Sequence, residues 1–152
     1  LCIGIAIIVV TEGHWDRLLR AMGQELSQTM GGSSGVLLAI FFAAAGDGAS
    51  SGLGMRDALK AGLARMQEIG GAELGDRTMI DALSPALDAY DKGFAAAASA
   101  ARAGANLTAT YVNARAGRAA YINARQLEGH IDPGAEAVAR LFEFLALRHS
   151  RS

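Results

Sequence analysis

The sequence has few of the residues that mark several common protein classes. It contains one cysteine and two prolines in 152 residues, and aromatic residues make up 6%. The single cysteine, Cys2, excludes an internal disulfide framework and a thiolate metal cluster, so a reducing, cytoplasmic location is predicted. β-Branched residues are also sparse after the first ten positions, which argues against an extensive sheet.

The chain also lacks an excess of charge of either sign. It has 14 Lys and Arg against 15 Asp and Glu, for a formal net charge of −1. This balance gives no long-range field to attract nucleic acid or an anionic membrane. The apolar run at residues 1–10 is shorter than the about 20 residues of a membrane-spanning helix. We therefore expect no nucleic-acid partner and no membrane span, and we assign residues 1–14 to an atypical apolar N-terminal segment.

Alanine and glycine dominate the composition, which favours close-packed helices and predicts an all-α fold. Apolar side chains recur at three- and four-residue steps over residues 15–30 and again over residues 55–69, which predicts two amphipathic helices. Residues 36–45 are apolar all round, as in a helix at the centre of a bundle, and residues 46–54 are expected to form a loop.

The second half of the chain continues the helical pattern. Helices are predicted over residues 94–103 and 105–115. The last helix has the clearest start, because Asp132 can cap it and Pro133 can occupy its first position. Its predicted buried side chains are Val138, Leu141, Phe142 and Leu145. Six or seven helices with short turns suit an antiparallel bundle or ring.

The segment GGSSG at residues 31–35 lies between two predicted helices. Its backbone amides, the hydroxyls of Ser33 and Ser34 and the positive end of the following helix can converge on an anion such as phosphate. A tight interhelical turn without a ligand is the alternative, and the segment alone favours the turn. The chain contains neither a Walker A sequence nor a Rossmann fingerprint.

Three further segments have both a binding and a structural explanation. GDRTM at residues 75–79 can be a helix start with Asp76 or Thr78 as the cap. Arg118 has a planar guanidinium suited to phosphate, although a lone arginine is more often a solvated or ion-paired surface residue. The DPG sequence at residues 132–134 is likewise typical of a helix start.

The order of the motifs is more specific than any one of them. MGGSSG at residues 30–35, GDRTM at 75–79, AGRAAY at 116–121 and GHIDPGA at 129–135 follow one another along the chain. In order and spacing they resemble the segments of the nucleotide-binding domain of the dihydroxyacetone kinase family, called the L domain or L subunit. Residues 15–152 are therefore predicted to form an L-type nucleotide-binding helical domain.

The resemblance implies a barrel of eight antiparallel helices that binds ADP or ATP through interhelical loops, here without its first one or two helices. Ser33 and Ser34 would contact the phosphates, and Gly70 and Met79 would border the nucleotide. The implied binding residues are Gly32, Ser33, Ser34, Gly70, Thr78, Met79, Arg118, Asp132, Pro133 and Gly134. No catalytic residue is identified.

The implied reaction passes the γ-phosphoryl group of ATP to dihydroxyacetone or a related ketose, which a partner K domain or subunit holds. In phosphotransferase-linked members a third subunit rephosphorylates bound ADP, and the sequence leaves both routes open. The family also implies Mg²⁺ on an acidic loop of the form GDxDxG, which we do not find. The GDG sequence at residues 46–48 does not match it, so no metal ligand is assigned.

Two explanations account for the missing acidic loop. The chain is either a fragment of a complete domain, which the absence of an initial methionine favours, or a degenerate homologue that acts as a non-catalytic binding or scaffold partner. Removing helices from a closed ring would expose apolar faces, including residues 36–45, and such faces promote association. Self-association into a homo-oligomer is therefore expected.

Overall fold

The computed structural model describes residues 14–111 and 123–151, and the regular structure in these ranges is helical without a strand. The all-α prediction is confirmed. The α-helices are α1 (Trp15–Thr29), α2 (Gly32–Ser50), α3 (Met55–Gly70), α4 (Ile80–Asp88), α5 (Phe94–Thr108), α6 (Ala124–Leu127) and α7 (Pro133–Ser150), with a 3-10 turn at Tyr90–Lys92. The chain forms two compact units, unit 1 (Leu1–Gly70) and unit 2 (Gly71–Ser152).

In unit 1, α2 packs against both α1 and α3. Glycines allow the backbones to approach closely, because a Cβ atom on Gly62 of α3 would overlap the carbonyl oxygen of Phe41. A Cβ atom on Gly23 of α1 would lie 3.0 Å from the carbonyl oxygen of Ala39. Small residues thus determine the spacing of these helices, as the alanine- and glycine-rich composition indicates.

By length and composition alone, α2 could cross a membrane, with a mean hydropathy of 1.3. Core helices of globular proteins share that property. Near its carboxyl end α2 carries Asp47, whose Oδ1 lies 2.8 Å from Nη2 of Arg20 on α1. The absence of a membrane span stays a prediction.

The predicted loop over residues 46–54 is wrong in its first half, because α2 continues to Ser50. Gly46 is buried within the helix, and a Cβ atom there would lie 2.7 Å from Cγ of Arg20. The glycine therefore serves close packing and does not end the helix. Leu53 and Gly54 lie in the short connection to α3.

The apolar face predicted for α1 is only partly buried. Leu19 is buried, whereas Trp15 is 42% and Met22 is 40% exposed. Val36 is also exposed, so α2 is not buried all round as expected. Small residues such as Gly23 and Gly46 lie where α1 and α2 approach closely, and the large side chains of Leu19 and Phe41 are buried as well.

In unit 2, α5 packs against both α4 and α7. A Cβ atom on Gly104 would overlap the carbonyl oxygen of Asp81, so this glycine permits the contact between α5 and α4. The predicted break between two helices near Gly104 is therefore wrong, and α5 continues to Thr108. The end of the second predicted helix, residues 112–115, lies outside the described residues.

The predicted start of the last helix is confirmed. Oδ2 of Asp132 accepts a 3.0 Å hydrogen bond from the N–H of Ala135, and Pro133 is the first residue of α7. The predicted buried stripe is partly wrong, because Leu141 is 52% exposed while Phe142 is buried. The other buried residues of α7 are Ala135 and Ala139. Alanine lies on the packed side because it lets α5 approach closely.

An ion-pair cluster also joins α5 to α7. Arg102 donates to Glu136 at 2.5 Å and to Glu143 at 2.7 Å, and Arg140 donates to Glu136 at 2.6 Å. The hydrogen bonds from Arg102 and then Arg140 lower the pKa of Glu136 from 4.5 to about 2. The hydrogen bonds to Glu143 and then to Glu136 raise the pKa of Arg102.

Candidate functional site

The GGSSG segment forms the beginning of α2 and not a separate loop. Gly31 precedes the helix, and Gly32, Ser33 and Ser34 make its first turn, all exposed. The first N–H groups of an α-helix have no partner within the helix. At the start of α2 no side chain caps them either. Backbone donors and two hydroxyls therefore lie at the positive end of a 19-residue helix, which is a suitable place for an anion.

Two further glycines shape this end of unit 1. Gly35 is buried, and a Cβ atom there would overlap the carbonyl oxygen of Met30. Gly70, the last residue of α3, would place a Cβ atom 3.0 Å from Cδ2 of Leu37. Gly70 thus lies against the second turn of α2, just beyond Ser34. Unit 1 therefore brings Gly70 near the predicted phosphate-binding turn.

In unit 2, the GDRTM segment makes an irregular turn before α4. The carboxylate of Asp81 accepts hydrogen bonds from the N–H groups of Gly75 at 2.6 Å and Thr78 at 2.8 Å. The hydroxyl of Thr78 accepts the N–H of Ile80 at 3.2 Å, but α4 begins at Ile80 after Met79 and has no side-chain cap, so the proposed role of Thr78 as the cap is wrong. Asp76 accepts the N–H of Glu73, three residues earlier, and its proposed role as the cap is also wrong.

Asp132 is a buried residue with several fixed contacts. Its N–H donates to Oγ1 of Thr108 at 2.8 Å, and that hydroxyl donates to the carbonyl oxygen of Ala105 at 2.6 Å. Burial raises the pKa of Asp132, and the hydrogen bond from Ala135 and the charge of Arg77 partly oppose this effect. The start of α7 is thereby attached to the end of α5.

Gly134 brings the start of α7 next to the GDRTM segment. A Cβ atom on Gly134 would lie 3.1 Å from Oδ2 of Asp132 and 3.2 Å from Cβ of Met79. Any larger residue would push these groups apart. Unit 2 therefore brings Met79, Asp132 and Gly134 together, with Thr78 and Pro133 as their chain neighbours.

Arg77 is a residue of this region to which the sequence motifs assign no role. It is 2% exposed, and its Nη2 donates to the carbonyl oxygens of Leu127 at 3.2 Å and His130 at 2.5 Å. Its position inside the GDRTM motif was the signal that could have identified it. The capping and binding interpretations of this motif assign no role to Arg77.

The DAK2 domain family matches residues 6–147. This chain belongs to that family. It is 49% identical over 132 residues to the dihydroxyacetone kinase of Citrobacter freundii, covering 85% of this chain and 24% of that protein. It is also 33% identical over 143 residues to the ADP-binding subunit DhaL of the PTS-dependent dihydroxyacetone kinase of Lactococcus lactis, covering 92% of this chain and 71% of that subunit.

The fold of this DAK2 domain agrees with solved structures. The crystal structure of the native C. freundii dihydroxyacetone kinase matches with a TM-score of 0.76 and 44% identity, covering 89% of this chain and 24% of that one. The same enzyme in complex with AMP-PNP and Mg²⁺ matches with a TM-score of 0.74 and 43% identity. The chain thus spans about a quarter of the length of that enzyme, and the resemblance to the dihydroxyacetone kinase family is confirmed.

The predicted binding residues divide between the two units of this DAK2 domain. Gly32, Ser33, Ser34 and Gly70 belong to unit 1, and Thr78, Met79, Asp132, Pro133 and Gly134 belong to unit 2. Arg118 lies outside the described residues, and its role stays a prediction. The binding role of the other residues is untested by the fold alone.

The described residues do not fit the magnesium site that the family implies. Residues 14–111 and 123–151 contain no group of three or more His, Cys, Asp or Glu side chains that could hold a metal ion. Asp47 on α2, the acidic residue of the GDG sequence, forms an ion pair with Arg20 on α1. This part of the chain therefore supplies no ligand set for Mg²⁺.

Proposed function

We propose that this DAK2 domain is the nucleotide-binding component of a kinase for dihydroxyacetone or a related ketose. It would bind ATP and ADP and pass the γ-phosphoryl group to a substrate that a partner K domain or subunit holds. The contact of Gly134 with Met79 beside the buried cap Asp132 carries this proposal, because it joins two motifs of the nucleotide-binding pattern. The C. freundii kinase that binds AMP-PNP and Mg²⁺ supports it.

In unit 1, the first turn of α2 is proposed to bind the phosphates. The N–H groups of this turn and the hydroxyls of Ser33 and Ser34 are exposed donors at a positive helix end. Gly32 has a φ of 77°, a left-handed conformation that glycine adopts without steric cost. Gly70 is proposed to border the nucleotide from the end of α3.

In unit 2, the half-buried side chain of Met79 and the Cβ-free surface of Gly134 are proposed to border the nucleotide. The Thr78 hydroxyl accepts one N–H and retains its own proton to donate. Asp132 acts by fixing the start of α7, with Pro133 beside it. Arg118 is proposed as a guanidinium contact to the phosphates.

The domain assignment and the partners remain proposals. Residues 15–152 are proposed as the L-type domain, with residues 1–14 as a separate apolar segment, in a cytoplasmic protein. The Lactococcus relative is a PTS-dependent subunit, which makes a phosphotransferase-system subunit a second candidate partner beside the K domain. Exposed apolar side chains on α7, including Phe144 and Leu147, are compatible with self-association.

Calorimetric titration of ADP into the 152-residue chain, with and without Mg²⁺, tests the proposal. Binding that a competing excess of ATP removes would support it. Binding that strengthens with Mg²⁺ would also indicate a set of carboxylates beyond the described residues. The proposal is wrong for this chain if ADP releases no heat of binding in either condition while circular dichroism shows a folded helical protein.

A non-catalytic scaffold role is the second candidate. It is favoured by the lack of a metal-binding group in the described residues, because phosphoryl transfer relies on cations to neutralise charge on the transferred group. The chain mixed with a K subunit, dihydroxyacetone, ATP and Mg²⁺ distinguishes the two. Formation of dihydroxyacetone phosphate above the level of either protein alone would contradict the scaffold role.

A further inference from the structure

Arg77 occupies an unusual position for a charged residue. It is 2% exposed, and its φ of 61° lies in the left-handed region. Among the described residues it is the one residue other than glycine with a positive φ. A backbone conformation of this kind persists where surrounding contacts determine it.

The guanidinium joins two segments that are far apart in sequence. Nη2 donates to the carbonyl oxygens of Leu127 and His130, which are 50 and 53 residues away. Leu127 is the last residue of α6, and His130 lies two residues before Asp132. We call these two hydrogen bonds the Arg77 bridge. It connects the GDRTM segment to the chain that leads into α7.

The Arg77 bridge acts next to the predicted nucleotide-binding residues. Met79 follows Arg77 by two residues, and Gly134 would place a Cβ atom 3.2 Å from Cβ of Met79. The two segments are thus held at two points, by the bridge and by the contact at Gly134. The positive charge of Arg77 also favours the ionised form of the buried Asp132 cap.

We propose that Arg77 is a positioning residue for the nucleotide. Through the Arg77 bridge it holds Met79 and Asp132 in the arrangement that binds the nucleotide. Its side chain is buried, Nη2 donates to two carbonyl oxygens and Nε has no hydrogen-bond partner among the described residues, so we assign Arg77 to holding these segments and not to contacting the nucleotide. This inference rests on the proposed function, since it concerns the same binding residues.

Two substitutions separate positioning from simple stability. Arg77→Met removes the charge and both hydrogen bonds while it retains an apolar stem of similar length. Arg77→Lys keeps the charge but replaces the planar guanidinium with a single ammonium. Phe142→Ala is the matched control, because it truncates a buried side chain of α7 without touching the bridge.

ADP affinity by calorimetry and hydrogen exchange of residues 127–135 are measured at a temperature where each variant is folded. Arg77→Met is expected to weaken ADP binding about tenfold or more and to speed exchange in residues 127–135. Arg77→Lys is expected to fall between Arg77→Met and the parent chain. Phe142→Ala should keep ADP affinity within about twofold of the parent chain.

The outcomes distinguish this inference from the proposed function. A parent chain that does not bind ADP overturns both. A parent chain that binds ADP, with Arg77→Met within about twofold of it, overturns the positioning role alone. Equal losses in Arg77→Met and Phe142→Ala also overturn it, because affinity would then follow stability. If Arg77→Met does not fold, Arg77→Lys decides by the same two measurements.

Discussion

The two units hold their predicted binding residues in different ways. In unit 1, Ser33 and Ser34 are exposed at the start of α2, and no side chain caps that helix end. In unit 2, the predicted binding residue Asp132 and the nearby residues Arg77 and Asp81 are buried and hydrogen-bonded to the backbone. Ser33 and Ser34 of unit 1 are therefore expected to tolerate substitution without loss of folding, whereas the buried residues of unit 2 stabilise the fold and are proposed to shape the site.

The largest effect is expected for Gly104→Ala, which should strongly destabilise unit 2. Its Cβ atom would overlap the carbonyl oxygen of Asp81, whose carboxylate accepts the N–H groups of Gly75 and Thr78. We expect a loss of about 3 kcal/mol in the free energy of unfolding, because backbone must move to admit the methyl group. Urea unfolding followed by circular dichroism measures this loss.

Gly54→Ala is the control for the same substitution at an open position. A Cβ atom there has nothing within 4 Å, so its unfolding free energy should change by about 0.5 kcal/mol or less. Peptide-resolved hydrogen exchange should show that Gly104→Ala lowers protection in α4 and α5. A Gly104→Ala variant as stable as Gly54→Ala would contradict the close packing of these two helices.

Asp132→Ala should have the next largest effect. It removes the acceptor of the Ala135 N–H at the start of α7, which costs about 1–2 kcal/mol in the free energy of unfolding. Asp132→Asn retains a side-chain oxygen at the same place and should keep most of the stability. Chemical unfolding of both variants tests the cap, and equal stabilities would show that the hydrogen bond contributes nothing.

The sequence alone could predict those parts of the fold whose causes are local. The cap Asp132 with Pro133 at the first position of α7, and the extent of α3, follow from short-range chemistry and periodicity. Family membership was also predictable, since the four motifs occur in order in the sequence. The fold class, the start of the last helix and the family could thus be predicted without tertiary information.

Features that depend on a distant partner could not be predicted. The local sequence predicts helix breaks at Gly46 and Gly104, but each lies within a helix where another helix approaches. The difference between a terminating and a packing glycine lies in the neighbouring helix and not in the local sequence. The position of Arg77 in the GDRTM motif marks it as a candidate, but its burial and its contacts could not be predicted, because its acceptors are 50 and 53 residues away.

A smaller effect on the stability of unit 2 is expected at acid pH. The pKa of Glu136 is lowered from 4.5 to about 2 by Arg102 and Arg140. The contribution of ionised Glu136 to the free energy of unfolding is therefore fully present above pH 4.5 and is lost as the pH falls towards 2. We expect about 1 kcal/mol or less, because these charges are partly exposed. Arg102→Met should reduce the loss of stability between pH 4.5 and 2. An identical loss in Arg102→Met and the parent chain, measured by thermal unfolding, would argue against this ion-pair cluster.

The smallest effect on stability, and the sharpest test of the comparison, is expected for Ser33→Ala with Ser34→Ala in unit 1. Both hydroxyls are exposed and cap no helix end, so the free energy of unfolding should change by about 0.5 kcal/mol or less. ADP affinity should nevertheless fall about tenfold or more, because two phosphate donors are lost. Ser99→Ala, at an exposed serine of α5, should change neither quantity. If the double variant lost stability in proportion to affinity, binding and folding would be coupled in unit 1, as we propose for unit 2.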